Sequence, residues 1–115
     1  MRVWDISTEK LCKNHLLGEH RELHAIWNIC TQNKKGYSNH PETIRWKGKL
    51  KALYLRHEKQ VLEMEKRGYI HKSPLDKNLA IGTNIQNELV NTIDEQKNIL
   101  KQKTMIVIYD FLRKR

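Results

Sequence analysis

The segment HLLGEHRELHAIW, residues 15–27, places two carboxylates and a guanidinium at helical spacing. At 100° per residue, Glu19 falls inside the apolar stripe, Glu22 falls on its border, and Arg21 faces the other way. A purely structural helix gains nothing from this arrangement. A fixed carboxylate can stabilise developing positive charge or assist proton transfer, and a guanidinium can bind phosphate through two hydrogen bonds. The spacing therefore marks Glu22 and Arg21 as candidates for chemistry, although a solvated helix face would look similar.

The rest of the chain supplies elements that would position these residues. Residues 1–6 read as an extended arm, and apolar periodicity predicts a first helix over 11–31. A polar, basic loop, TQNKKGYSNHPETI, leads to a second helix over 44–67, after which Gly68 suits a left-handed helix end. The last third keeps a helical repeat from Ile85 to Phe111, although TMIVIY is also strand-like.

This pattern predicts an all-α fold. We expect a single compact domain over 1–115, made of about three long helices with an N-terminal extended arm. We also expect a monomer, because no spare apolar stripe is evident.

The charge balance indicates the class of partner. The chain has 22 Lys and Arg against 13 Asp and Glu, a net charge of +9, and a pI near 9.7. Such a surface favours phosphate-rich partners, nucleic acids above all, through counterion release. No apolar run approaches the roughly 20 residues that span a bilayer, so no membrane partner is expected. The start lacks the apolar core of a secretory signal, which predicts a cytoplasmic protein.

Cysteine and histidine usage predicts neither a disulfide nor a metal site. Cys12 and Cys30 would lie roughly 27 Å apart on one helix, too far for a disulfide, so we expect free core thiols. His20 and His24 are one helical turn apart, but two histidines without further ligands are a weak signal. We therefore expect no metal and no cofactor.

Several motifs together carry a family resemblance. The arm MRVW, the helix HLLGEHREL, the loop KGYSNHP and the stretch LYLRHEKQVLEMEKRGYIHKSPL are similar to the phage-type pyrimidine-dimer DNA glycosylases of the endonuclease V type. The resemblance covers about the first two thirds of the chain. It implies a small helical enzyme that cuts the glycosidic bond at a pyrimidine dimer in double-stranded DNA. An AP lyase step then nicks the backbone at the resulting abasic site, without a cofactor.

The resemblance also implies residue roles. In the family, the nucleophile is the α-amine of the first residue and the essential carboxylate is a glutamate on the first long helix. Ungapped alignment makes Met1 and Glu22 the catalytic residues, and the large Arg2 side chain predicts that Met1 is retained. The residues expected to bind DNA are Arg2, His15, Arg21, Lys34, Lys35, Tyr37, His40 and Arg45.

Other residues are expected to shape the site. Tyr37 and Trp46 are candidates to stack against an unstacked base. Glu19 is expected to support the site structurally, by pairing with His15 or by bonding the N-terminal arm. His57 is expected to be a hydrogen-bonded core histidine.

Two departures from the family pattern keep alternatives open. Ala25 stands where the family has a DNA-contacting arginine, and the ending YDFLRKR does not resemble the family's aromatic tail. One alternative is a glycosylase/AP lyase for another damaged base. The other is a non-enzymatic basic helical protein that binds nucleic acid.

Overall fold

The first long helix, α1, spans Lys13–Gln32 and buries an apolar stripe that includes Leu16, Leu23 and Ile26. The computed structural model describes residues 2–71 and 73–113, with side chains described as far as residue 103. The helix begins two residues later than predicted because Cys12 takes the extended N-cap position. It ends at Asn33, whose left-handed backbone lets its N–H donate to the Ile29 carbonyl.

The predicted second helix is wrong in its first part. A four-residue helix, α2, spans Pro41–Ile44, and α3 spans Leu50–Lys66. Between them the chain turns through Gly48, whose φ of +77° breaks the helix. The predicted end is confirmed, since Gly68 has a φ of +81° and the Tyr69 N–H donates to the Met64 carbonyl.

The last helix, α4, spans Ile93–Arg113 and includes the TMIVIY segment. It begins later than the predicted repeat, because the chain around Ile85 and Leu89 is irregular and both side chains are exposed. The all-α prediction is confirmed: the described residues contain no strand, only an isolated bridge between Lys49 and Gly82. None of the described helices is long and apolar enough to cross a membrane.

The core forms where the extended arm lies between α1 and α3. Val3 shares one apolar cluster with Leu23, Ile26 and Leu53, and Trp4 shares another with Leu16. Each fully buried side chain of this size contributes roughly 1.5–3 kcal/mol. The two cysteines are free, as expected, but Cys12 is exposed and so does not belong to the core.

The loop before α4 caps the start of α3. The Lys49 side chain makes no capping bond, and the Lys51 and Ala52 N–H groups instead donate to the Ile81 and Thr83 carbonyls. These bonds satisfy donors that a helix N-terminus otherwise leaves free. Gly82 lies between the two carbonyls with a φ of +88°, and a Cβ there would lie 2.1 Å from the Gly48 oxygen.

We predict that Gly82→Ala destabilises the protein by at least about 1–2 kcal/mol, the cost of a left-handed backbone with a side chain. The clash of the new Cβ with the Gly48 oxygen adds to this cost, because a backbone atom cannot move aside as the end of a flexible side chain can. Urea unfolding monitored by circular dichroism measures the effect. Gly36→Ala is the control, since a Cβ at Gly36 meets nothing within 4 Å. Equal stability of the two variants would contradict this account of the cap.

Candidate active site

The extended arm, residues 2–6, is held by buried side chains that pair with its backbone. The Val3 N–H donates to Glu42 Oε1 over 3.2 Å, and the Val3 carbonyl accepts from Arg45 Nη2 over 2.6 Å. The Asp5 N–H donates to Gln96 Oε1 over 2.8 Å. Among residues 2–71 and 73–113 no strand pairs with the arm, so these side chains replace the partners that a sheet would provide.

Arg45 belongs to this support and is only 4% exposed. Its guanidinium donates to Asp5 Oδ1 over 2.9 Å, to Glu42 Oε1 over 2.8 Å and to the Glu88 carbonyl. Burial acts to lower the pKa of Arg45, but the Asp5 and Glu42 carboxylates outweigh it and raise that pKa. The donors of Arg45 are used inside the protein, which gives it a structural role, and its predicted contact with DNA would require these bonds to break.

Trp46 is also unavailable to a nucleobase. It is 3% exposed in the apolar core, and its indole N–H faces Glu42 Oε1 at 3.3 Å. Only Tyr37 of the two proposed stacking residues lies on the surface.

Glu19 holds the arm from the opposite side. Its Oε1 accepts from the Trp4 N–H at 2.5 Å and from Arg56 Nη2 at 2.8 Å, while Oε2 accepts from Arg56 Nε and from the Gln60 amide. Burial raises the pKa of Glu19, and these donors oppose the rise because they favour the carboxylate. Glu19 thus bonds the arm and not His15. Its partners on α3, Arg56 and Gln60, were not anticipated from the sequence.

The arm packs along α1. Trp4 shares a cluster with Leu16, near the start of the helix, whereas Val3 shares a cluster with Leu23 and Ile26, which lie on the second half of α1.

Glu22 lies on that half of α1, three residues after Glu19 and partly exposed. Its side chain lines a cavity of about 410 Å³ with Ala25, Asn28, Lys34 and Tyr37. Among residues 2–71 and 73–103, no side chain forms a hydrogen bond or ion pair with Glu22. The two glutamates therefore differ: Glu19 has its acceptor positions occupied, and Glu22 faces open space.

The loop after α1 makes the cavity wall basic. Lys34 and Lys35 are exposed, and both line a second cavity of about 430 Å³ with Lys47. Tyr37 is 71% exposed and holds a φ of +57°, an unusual conformation for a residue with a side chain.

His40 caps α2, since its Nδ1 accepts from the Glu42 N–H at 3.1 Å.

The remaining predicted site residues lie at varying distances from Glu22. Arg21 is exposed on α1. Arg2 stacks over Trp4 at 4.9 Å and donates to Asn91 at 2.6 Å. His15 lies seven residues before Glu22, roughly 10 Å along the helix, with its Nδ1 3.0 Å from Cys12 Sγ. Burial and then Lys103 lower the pKa of His15. Met1 lies outside the described residues.

A family model described as pyrimidine dimer DNA glycosylase matches residues 1–77. The chain belongs to this family. The match includes the arm, α1, the basic loop, α2 and α3, which together form the surroundings of Glu19 and Glu22. Searches of curated proteins and of solved structures gave no significant match. The resemblance inferred from the arm and helix motifs is thereby confirmed, and α4 lies outside the matched region.

A cluster of four histidines lies between α1 and the chain that follows, next to Gln60, which bonds both His20 and Glu19. His57 is fully buried, with its Nδ1 3.0 Å from Glu58 Oε1, and it packs against His20, His24 and His71. One candidate ligand atom from each of the four lies within 4.8 Å of the others, so the cluster has the composition of a metal site. Only His20 and His24 could be paired from their spacing, because His57 and His71 are far from α1 along the chain.

We predict that Arg45→Met destabilises the protein by about 3–5 kcal/mol, because it leaves the buried Glu42 carboxylate without its ion-pair partner. Denaturant unfolding measures the loss. Lys47→Met is the control, since Lys47 is exposed two positions away and its removal changes the net charge equally. Stability of Arg45→Met within 1 kcal/mol of the control would contradict the role of Arg45 as the support of the arm.

Proposed function

We propose that this chain is a bifunctional DNA glycosylase and AP lyase acting at pyrimidine dimers in double-stranded DNA. In this proposal the α-amine of Met1 is the nucleophile and Glu22 is the catalytic carboxylate. The observation that supports it is the packing of the arm on α1: the Trp4 N–H is bonded to Glu19, one helical turn before Glu22, and Val3 shares an apolar cluster with Leu23 of the same helix. Membership of the pyrimidine dimer glycosylase family supports the substrate class.

An α-amine suits this reaction at neutral pH. Its ordinary pKa is about 7.7–8.0, against about 10.4 for a lysine, so a useful fraction is unprotonated and nucleophilic. Two residues separate the nitrogens of Met1 and Val3, a span of at most about 7 Å. The Val3 nitrogen is held by Glu42, and the proposal assigns the reaction to this neighbourhood.

The chemistry then follows in three steps. The amine forms a bond to the sugar C1′ as the bond from C1′ to the base breaks, and the departing base takes the electron pair. Glu22 stabilises the positive charge that develops on the sugar. Loss of the amine proton and opening of the ring give an iminium, which acidifies the C2′ proton. Removal of that proton, assisted by Glu22, expels the 3′ phosphate by β-elimination.

Access to C1′ requires the damaged duplex to be distorted and its backbone held. The exposed cations beside the cavity, Arg21, Lys34 and Lys35, are the proposed phosphate contacts. The exposed Tyr37 ring is the proposed stacking surface for an unstacked base. His40 and His15 have internal partners and are assigned a secondary role in DNA contact.

Borohydride trapping tests the nucleophile. Incubation with a duplex containing one abasic site, followed by reduction, is expected to give a covalent adduct at the N-terminal peptide, identified by mass spectrometry. Lys34→Arg is the matched control, since it keeps the charge beside Glu22 but removes the nearest described primary amine of the cavity wall. Trapping that survives in Lys34→Arg and disappears when the α-amine is acetylated supports Met1. An adduct on Lys34 would reassign the nucleophile, and salt-dependent binding without any adduct would leave only a basic DNA-binding protein.

Glu22→Gln tests the carboxylate. We expect turnover on dimer-containing duplex to fall by about 10²–10⁴-fold, the usual effect of a group that assists proton transfer, while DNA affinity stays nearly unchanged. Glu65→Gln, an equal charge change at an exposed position on α3, should keep full activity. Single-turnover rates and fluorescence anisotropy separate the two effects. Full activity in Glu22→Gln would refute its role, and faster cutting of another damaged base by the wild type would reassign the substrate.

A further inference from the structure

We propose that His20, His24, His57 and His71 bind one divalent first-row transition ion, with zinc as the representative of this class. The site is independent of the proposed reaction. One pair of candidate ligand atoms, Nε2 of His20 and Nε2 of His24, is 3.2 Å apart. Two nitrogens bound to tetrahedral zinc at about 2.0–2.1 Å are separated by about 3.3 Å. The full set lies within 4.8 Å, so the outer two rings need only small movements to complete a tetrahedron.

Two ring nitrogens in this cluster have no hydrogen-bond partner of proper geometry. They are Nε2 of His57 and Nε2 of His71, both shielded from solvent, and neither is paired within the described part of the chain. Buried polar atoms are nearly always satisfied in folded proteins. A metal ion at the centre of the cluster would take the lone pairs of both nitrogens, which no described side chain does.

Hydrogen bonds outside the cluster favour the required tautomer in two of the four rings, His57 and His20. Glu58 Oε1 can only accept, so His57 carries its proton on Nδ1, 3.0 Å away, and leaves its Nε2 lone pair free. The Gln60 amide nitrogen donates to Glu19, so its oxygen faces His20 Nδ1 at 2.9 Å and sets the same tautomer there. Histidine ligands of metals commonly donate their second N–H to a carboxylate or a carbonyl in this way.

The cluster also disfavours protons as competitors for the ligand nitrogens. Burial lowers the pKa of His24 to about 4, with the neighbouring imidazoles acting in the same direction. Burial likewise lowers the pKa of His20 and of His57, although Gln60 opposes the first and Glu58 and the Ser73 backbone oppose the second. Neutral imidazoles are the form that binds metal, and they suit zinc, copper, nickel and iron.

The position of the cluster indicates a structural role for the ion. The ligands come from α1, from α3 and from the segment after Gly68, so one ion would cross-link three parts of the fold. Glu22 lies about 200° around α1 from His20 and from His24, on the opposite face. The ion would therefore stabilise the packing of α1 against α3 and take no part in chemistry at Glu22.

Zinc titration of the full chain, prepared without a histidine tag and stripped with a chelator, tests the site. We expect one zinc per chain by mass spectrometry of the metal content, and a rise in Tm of several degrees in excess ZnCl₂. Cobalt(II) is expected to give the intense visible absorption of a tetrahedral complex. Folded wild-type protein that binds no zinc, or cobalt that gives only the weak octahedral spectrum, would overturn the proposal.

Variants locate the bound ion. His24→Gln and His71→Gln, at partly exposed positions, should weaken zinc binding by at least about 100-fold, and Glu58→Gln by about 10–100-fold as an outer partner. Because Glu58 is 46% exposed, Glu58→Gln keeps the test valid should a histidine variant fail to fold. Glu65→Gln is one control. Cys12→Ser and His15→Gln are two more, because Cys12 and His15 form a separate pair of potential ligands at the start of α1. Loss of zinc binding in these two controls, with wild-type affinity in His24→Gln and His71→Gln, would place the ion elsewhere and refute the proposal.

Discussion

The fold depends on burying an extended arm that pairs with no strand in the described part of the chain. Val3 and Trp4 are almost fully buried, and their backbone groups would be left without water or a sheet partner. Four buried side chains make up this deficit: Glu19, Glu42, Arg45 and Gln96. Each charged member has an opposite charge within reach, which is the condition for burying ionised groups at a tolerable cost. The backbone of the arm is thus held in place by hydrogen bonds to these four side chains.

This constraint separates two glutamates that are chemically identical and one helical turn apart. The carboxylate oxygens of Glu19 accept hydrogen bonds from Trp4, Arg56 and Gln60. Glu19 therefore cannot act on a substrate without releasing the arm. Glu22 borders a cavity beside exposed lysines and a tyrosine, with no partner among the described side chains. The position of each glutamate relative to the arm therefore decides its contacts. Glu19 is engaged in holding the arm, whereas Glu22 keeps its carboxylate available.

Local pattern sufficed for the parts of the fold that depend on near neighbours. The 3.6-residue period predicted α1, Gly68 predicted the end of α3, and the arm and helix motifs predicted the family. The burial of Arg45 and Trp46 was not anticipated, because the pattern suggested one helix from Ile44, whereas the structure has a separate short helix and a turn through Gly48. Arg56, Gln60 and His71 were not foreseen, and His57 was expected as a core histidine but not as a member of a histidine cluster. Their roles arise from packing of α3 against α1, over separations of 37 residues or more that no local period encodes.

The region beyond the family match takes part in the same support. Gln96 of α4 exchanges hydrogen bonds with Asp5, and Asn91 accepts from Arg2, so the outer side of the arm depends on residues outside 1–77. The Ile81 and Thr83 carbonyls cap α3, and the Glu88 carbonyl accepts from Arg45. The matched region alone would leave the α3 donors and the Asp5 backbone without these partners. The C-terminal third therefore completes the site from outside, by closing over an arm whose inner side the matched helices already hold.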